Sequence, residues 1–195
     1  MSDSAAPTIT AWIQHHYSYS IGRIFSLEES TRIISESAKL PKHQSTLTAA
    51  NGRQIRDTTL YWLPNSQDTS WIFDRLLQCV QSWNRDFGLE LSEGAPRYGQ
   101  LTRYEVNQEY DWHMDIGRAA ASRRKVSIVI GLNDPDEYEG GGTEIFFGSQ
   151  SNPTIKLPAG EAILFPSYVM HRAVAITRGL RWTLVVWFCG NRPFR

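Results

Sequence analysis

Polar and apolar positions follow two different rhythms in this chain, and the change falls near residue 98. Upstream of it, Ile72, Phe73, Leu76, Leu77, Val80, Trp83 and Phe87 recur at the spacing of one helical face. That pattern predicts a helix over about 69 to 87, with Gly88 placed to end it. An earlier helix, over roughly 27 to 39, is announced by Ser26-Leu27-Glu28-Glu29. This is a capping box, with a hydroxyl at the N-cap and a carboxylate three residues on. Leu27, Ile33 and Ile34 are its core candidates. Asn51-Gly52 signals a tight turn, but its flanks alternate too poorly to specify a hairpin, and His43 reads as part of a polar loop. Residues 1–97 therefore read as a helix-rich support region with scattered strands.

Downstream, short runs rich in β-branched and aromatic residues cover 100–104, 125–132, 143–147, 154–157, 162–165, 172–176 and 181–188. Gly, Pro, Asn and Asp punctuate them. Many short strands separated by such turns indicate a β-sandwich or jelly-roll barrel. The predicted class is α+β, mainly β: one domain over 1–195, with a jelly-roll core at 98–195 and the N-terminal helices packed on one sheet.

Composition narrows this little. A chain of 195 residues with 41% hydrophobic and 21% charged positions is ordinary for a globular domain. Twenty basic residues balance twenty acidic ones, which favours neither a nucleic-acid nor a membrane-surface partner. No apolar run approaches the roughly 20 residues of a membrane span, and the opening residues, which lack a basic segment followed by an apolar core, give no expectation of a signal peptide. Cys79 and Cys189 are too few for a disulfide framework or a four-thiolate site, so the expectation is a cytoplasmic protein. Seven tryptophans supply rigid surface for lining a pocket.

The chemistry concentrates on His113-Met114-Asp115. In a strand, residues i and i+2 share a face, so an imidazole and a carboxylate would converge while Trp112 and Met114 point away. Of the other histidines, His15 and His16 lie in an N-terminal arm, whereas His171 opens a predicted strand after Phe165-Pro166-Ser167. Two histidines and one carboxylate make the facial triad of non-haem iron(II) oxygenases, with positions left for co-substrate and dioxygen. Arg181 lies ten residues after His171, across the Thr177-Arg178-Gly179 turn and at the head of an apolar run. A guanidinium there suits bidentate capture of a carboxylate.

The stretch from Gln100 through Tyr104 and Tyr110 to Asp115 resembles the prolyl-4-hydroxylase-like branch of the Fe(II)/2-oxoglutarate dioxygenase superfamily. So do RKVSIVIGLNDPDEYEGGGTEIFFG, LPAGEAILFPSYVMHRAVAITRGLRWTLVVWFCG and the closing Pro193-Phe194-Arg195. The likeness is greatest to PKHD-type hydroxylases and densest over 98 to 195. It implies a double-stranded β-helix with iron on His113, Asp115 and His171. It also implies 2-oxoglutarate held by Arg181 and by the hydroxyl of Tyr104, dioxygen as co-substrate, and ascorbate as a reductant. Thr183 and Trp187 share a strand face with Arg181 and belong either to the co-substrate pocket or to the barrel core.

The activity implied is hydroxylation of an unactivated C–H bond in an amino-acid or peptide-like substrate, with release of succinate and carbon dioxide. The alternative is a tailoring oxygenase hydroxylating or desaturating a small-molecule intermediate. The retained Asp115 argues against halogenation. Nucleic-acid dealkylases carry a second arginine six residues after the co-substrate arginine, and here that position is Trp187. A non-catalytic jelly-roll binding module would have lost a ligand or the arginine, and all four are present. The basic loop 117–125 reads as a solvated loop, a lid, or a recognition element for an acidic substrate with Arg118 as its first candidate.

Overall fold

In the computed structural model, residues 13–15, 19–48, 50–146, 148 and 152–194 are described. The strands β1 (Ile13–His15) and β2 (Tyr19–Arg23) lead into helix α1 (Leu27–Ser35). Then follow β3 (His43–Thr48), β4 (Gln54–Pro64) and helix α2 (Ser70–Phe87). Next come β5 (Tyr98–Tyr104), β6 (Glu109–His113), β7 (Arg124–Gly131), β8 (Tyr138–Gly140) and β9 (Thr143–Ile145). The chain closes with β10 (Thr154–Ile155), β11 (Glu161–Pro166), β12 (His171–Ala173), β13 (Ile176–Gly179) and β14 (Arg181–Cys189).

The main sheet runs β1-β2-β11-β7-β14-β5-β4-β6-β12-β9-β10, with β3 paired on β4, and β8 and β13 form a separate ribbon. All these pairings are antiparallel. The curled sheet is the jelly-roll core that the sequence predicts.

Strand alternation divides this sheet between two tasks. Leu184, Val186 and Phe188 of β14, Leu101 of β5, Leu63 of β4, and Val126, Ile128 and Ile130 of β7 are buried in one apolar cluster with α2 residues Ile72, Phe73, Leu76, Val80 and Trp83. The intervening residues Arg181, Thr183, Val185 and Trp187 of β14, with Gln100 and Tyr104 of β5, line a cavity instead. The helices thus cover one face, and the opposite face is left for chemistry.

The predicted helices form, with differences at their ends. Ser26 and Glu29 make the reciprocal capping box, with bonds of 2.9 and 3.1 Å. However, α1 stops at Ser35 and continues to Lys39 only as a tighter 3-10 turn. Leu27 is 57% exposed, because the first helical position precedes the turn that meets the core, whereas Ile33 is fully buried. Gly88 closes α2 in the left-handed conformation, φ 61°, where its N–H bonds Asn84.

Among the described residues, the 1–97 region holds four strands beside its two α-helices. The Asn51-Gly52 turn joins β3 to β4, so His43 sits in a strand and not in a loop. Local alternation missed the hairpin because β3 is largely exposed on both faces. Its order comes from pairing with β4, whose other edge pairs β5 and β6. The predicted run 172–176 breaks after Ala173, and Ile176–Gly179 pairs separately with β8. Strand pairing likewise ends the predicted 143–147 and 154–157 runs at Ile145 and Ile155. His16, Phe147 and Arg195, together with the N-terminal segment read for a signal peptide, lie outside the described residues.

Candidate metal centre and co-substrate pocket

His113 is the last residue of β6 and His171 the first of β12, and the antiparallel register sets them directly opposite each other. The Nδ1 of each faces a backbone carbonyl two residues back, Asp111 at 2.7 Å and Val169 at 2.9 Å. A carbonyl only accepts, so Nδ1 carries the proton and each Nε2 lone pair is free for a ligand bond.

Asp115 lies just past the end of β6, in a bend, which corrects the expectation of a continuous strand through 113–115. Its place is held by its N–H donating to the Ser167 carbonyl at 3.0 Å. The Ser127 hydroxyl donates to Asp115 Oδ2 at 2.6 Å, and lies 2.9 Å from the Ser167 hydroxyl. Asp115 Oδ1 is 3.8 Å from His113 Nε2, and Oδ2 is 3.7 Å from His171 Nε2. One ligand atom from each of the three lies within 4.8 Å of the others. These separations exceed a hydrogen bond and suit donors arranged around an ion.

Burial, followed by the neighbouring His171, lowers the His113 pKa to about 3, so the ring is a neutral donor near pH 7. Burial pulls Asp115 the other way. The two histidines, the Ser127 hydroxyl and the Trp187 indole N–H outweigh it and hold the carboxyl below its ordinary value. Trp187 acts here by proximity, since Nε1 makes no hydrogen bond of good geometry. A neutral imidazole and an ionised carboxylate are the states that iron(II) needs.

Beside the cluster, Arg181 is 3% exposed and faces Tyr104, its cross-strand partner on β5. Its guanidinium donates to the Gly142 carbonyl at 3.3 Å and to Thr143 Oγ1 at 3.0 Å, and lies 5.5 Å from the Tyr104 ring. Among the described residues no carboxylate pairs with it. A buried, unmatched cation is costly unless an anion joins it. Thr183 Oγ1 and Trp187 Nε1 are buried in the same wall without hydrogen-bond partners. The donor set and these orphaned groups fit a metal together with a carboxylate-bearing co-substrate.

The shared cavity has a volume of about 470 Å³ and is lined by Tyr104, His113, Asp115, His171, Arg181, Thr183 and Trp187 together. Arg118 is exposed and is not part of this wall; Arg124, at the end of the same loop, is. Sequence reasoning also missed Ser127, Tyr110, Arg56 and His43, all but Ser127 of which line the cavity. Ser127 did leave a signal, as the one hydroxyl inside the apolar run Val126–Ile130. Arg56 and His43 left none, because only the β3–β4 hairpin carries them to the site.

Fold and donor set together define a jelly roll that carries two histidines and one carboxylate able to hold a metal ion. Residues 99–189 match the 2OG-Fe(II) oxygenase superfamily. Iron(II), 2-oxoglutarate and dioxygen are the reactants that family uses. Over 109 residues the chain is 37% identical to a PKHD-type hydroxylase of Xylella fastidiosa strain M12. The match covers 51% of this chain and 46% of that protein, so the chain spans about half the length of this relative. A PKHD-type hydroxylase of a Synechococcus strain is 27% identical over 172 residues, covering 86% of this chain and 75% of its own.

Among solved structures, the Pseudomonas putida prolyl-4-hydroxylase superposes with a TM-score of 0.69 at 19% identity, covering 90% of this chain and 94% of its own. An oxidoreductase of the 2OG-Fe(II) oxygenase family from Burkholderia pseudomallei gives 0.70, also at 19% identity, over 91% and 88%. At that identity these two likenesses speak for the fold. No helix among the described residues is long and apolar enough to cross a membrane.

Proposed function

We propose that this protein is an Fe(II)- and 2-oxoglutarate-dependent dioxygenase that hydroxylates an unactivated C–H bond of an amino-acid or peptide-like substrate and releases succinate and carbon dioxide. The observation that carries the reading is the buried Arg181, unpaired by any carboxylate among the described residues, in the same cavity as the His113, Asp115 and His171 donors.

His113, Asp115 and His171 would hold the iron. With dioxygen, the bound iron supplies the redox chemistry by which 2-oxoglutarate is decarboxylated and the substrate oxidised. The remaining tasks belong to the chain. Ser127 and Ser167 orient the Asp115 carboxylate, and the Asp111 and Val169 carbonyls fix the histidine tautomers. Arg181 would clamp the distal carboxylate of 2-oxoglutarate, with Tyr104 beside it as hydroxyl donor. Burial keeps the Tyr104 phenol protonated, opposed by the charge of Arg181, so it remains a donor. Thr183 offers its unused hydroxyl to the same co-substrate, and Trp187 lines the pocket with its indole N–H toward the Asp115 carboxylate.

A small-molecule substrate is the second reading, favoured by a cavity whose volume of about 470 Å³ is ordinary for a metabolite site. The name PKHD-type hydroxylase carried by the relatives supports a hydroxylation outcome in either case. The same proposal places the enzyme in the cytoplasm, where Cys79 and Cys189 persist as free thiols.

The test is purified protein with iron(II), ascorbate and 2-oxoglutarate. It should form succinate without added substrate, and faster with the right amino acid, peptide or intermediate, whose mass gains one oxygen. Absence of both metal binding and succinate sinks the reading.

A further inference from the structure

We infer that the cavity contains a second anion site, built by Arg56 and Arg124, which takes an oxyanion (a carboxylate or a phosphate) carried by the substrate to be oxidised. This rests on the oxygenase reading above and adds a substrate class to it.

Asp115 is the one acidic side chain among the cavity-lining residues described, and it is committed to the metal donors. Four arginines share that wall: Arg56, Arg124, Arg172 and Arg181. Arg172 is neutralised by Glu144 at 2.7 Å, and Arg181 matches the distal carboxylate of 2-oxoglutarate. Iron(II) with one aspartate and doubly charged 2-oxoglutarate leaves a single negative charge, which Arg181 cancels. Arg56 and Arg124 then remain as two positive charges, neither in an ion pair among the described residues.

Both are held in place. Arg56 is 9% exposed, donates from Nε to Thr58 Oγ1 at 3.2 Å, and lies 4.6 Å over the Tyr110 ring. That ring stacks in turn on His113 at 3.5 Å. Its Nη2 is buried with no hydrogen-bond partner. Arg124 donates to the Asp115 backbone carbonyl at 3.2 Å and lies 3.7 Å over the Trp187 ring. Arg56 is therefore one group removed from His113, and Arg124 touches Asp115 directly; Arg124 feels the attraction of Asp115 more strongly than the opposing like charge of Arg56. An oxyanion accepting from both would satisfy the orphaned Nη2 and relieve that repulsion. Arg124 thereby takes the role the sequence suggested for Arg118.

The experiment uses the protein loaded with manganese(II) and 2-oxoglutarate and follows tryptophan fluorescence, since Trp187 lies under Arg124. The probes are N-acetylglycine, its uncharged amide and methyl phosphate. Either oxyanion should give a saturable change that the amide does not, and the stronger of the two identifies the group. The apparent affinity should fall roughly tenfold or more in Arg124→Gln and Arg56→Gln, with partial recovery in Arg124→Lys.

No saturable response to either oxyanion, an equal response to the amide, or wild-type affinity in both glutamine variants overturns the inference. The comparison of acid with amide needs only the wild-type protein, so it holds if a variant fails to fold. Succinate formation without added substrate separately tests the oxygenase reading.

Discussion

A guanidinium taken out of water must recover its hydration energy from something, and Arg181 recovers only part of it from Gly142 and Thr143. Replacing it with lysine keeps the charge but loses the planar fork. Arg181→Lys should weaken 2-oxoglutarate binding by about 2 kcal/mol or more while leaving metal affinity near wild type, as separate titrations of each would show. Ser127 works at the other end of the site. Ser127→Ala removes the 2.6 Å bond that aims Asp115 and should weaken iron(II) binding roughly tenfold, read by metal titration. Cys79 tests the core: burial pushes its thiol up to about 11 against the pull of Arg75, so at pH 8 it stays protonated. Alkylation of Cys79 at that pH should track unfolding by denaturant; rapid labelling of the native protein would show that the α2 face is not packed as described.

Each element carries one face for stability and one for chemistry. In β14 the residues Leu184, Val186 and Phe188 meet α2, while Arg181, Thr183 and Trp187 meet the cavity. The faces can therefore be separated by mutation. Phe73→Ala, in the α2 contact, should cost about 3–5 kcal/mol in a chemical denaturation curve, and the protein that remains folded should still bind metal. Ser26→Ala, which removes the α1 cap, should cost about 1 kcal/mol with no effect on metal or co-substrate affinity. The strongly periodic α2 and the apolar β7 and β14 were legible in the sequence because their own residues state which face is buried. The β3–β4 hairpin was not, since an exposed strand is ordered by its neighbour and not by its own pattern.

Over the whole molecule, curling of the sheet brings β6 and β12 near β5 and β14, so ligands 58 residues apart in sequence (from 113 to 171) meet across one register position. A site assembled from distant strands couples binding to folding. Manganese(II) with 2-oxoglutarate, each far above its dissociation constant, should raise the melting temperature by about 5–10 °C, and a chelator should reverse it. An unchanged transition would show that the three donors do not meet as described. Local pattern and residue chemistry determined the helices and the main strands and pointed to His113, Asp115, His171 and Arg181 as candidates, whereas Tyr104 entered only through the family resemblance. Only the tertiary structure decided that Asp115 sits beyond its strand on a Ser167 bond, that Ser127 aims it, and that Arg56 and Arg124 enter the cavity with no ion-pair partner among the described residues. Those facts depend on pairing between remote strands, where burial and charge are set by what the fold brings alongside.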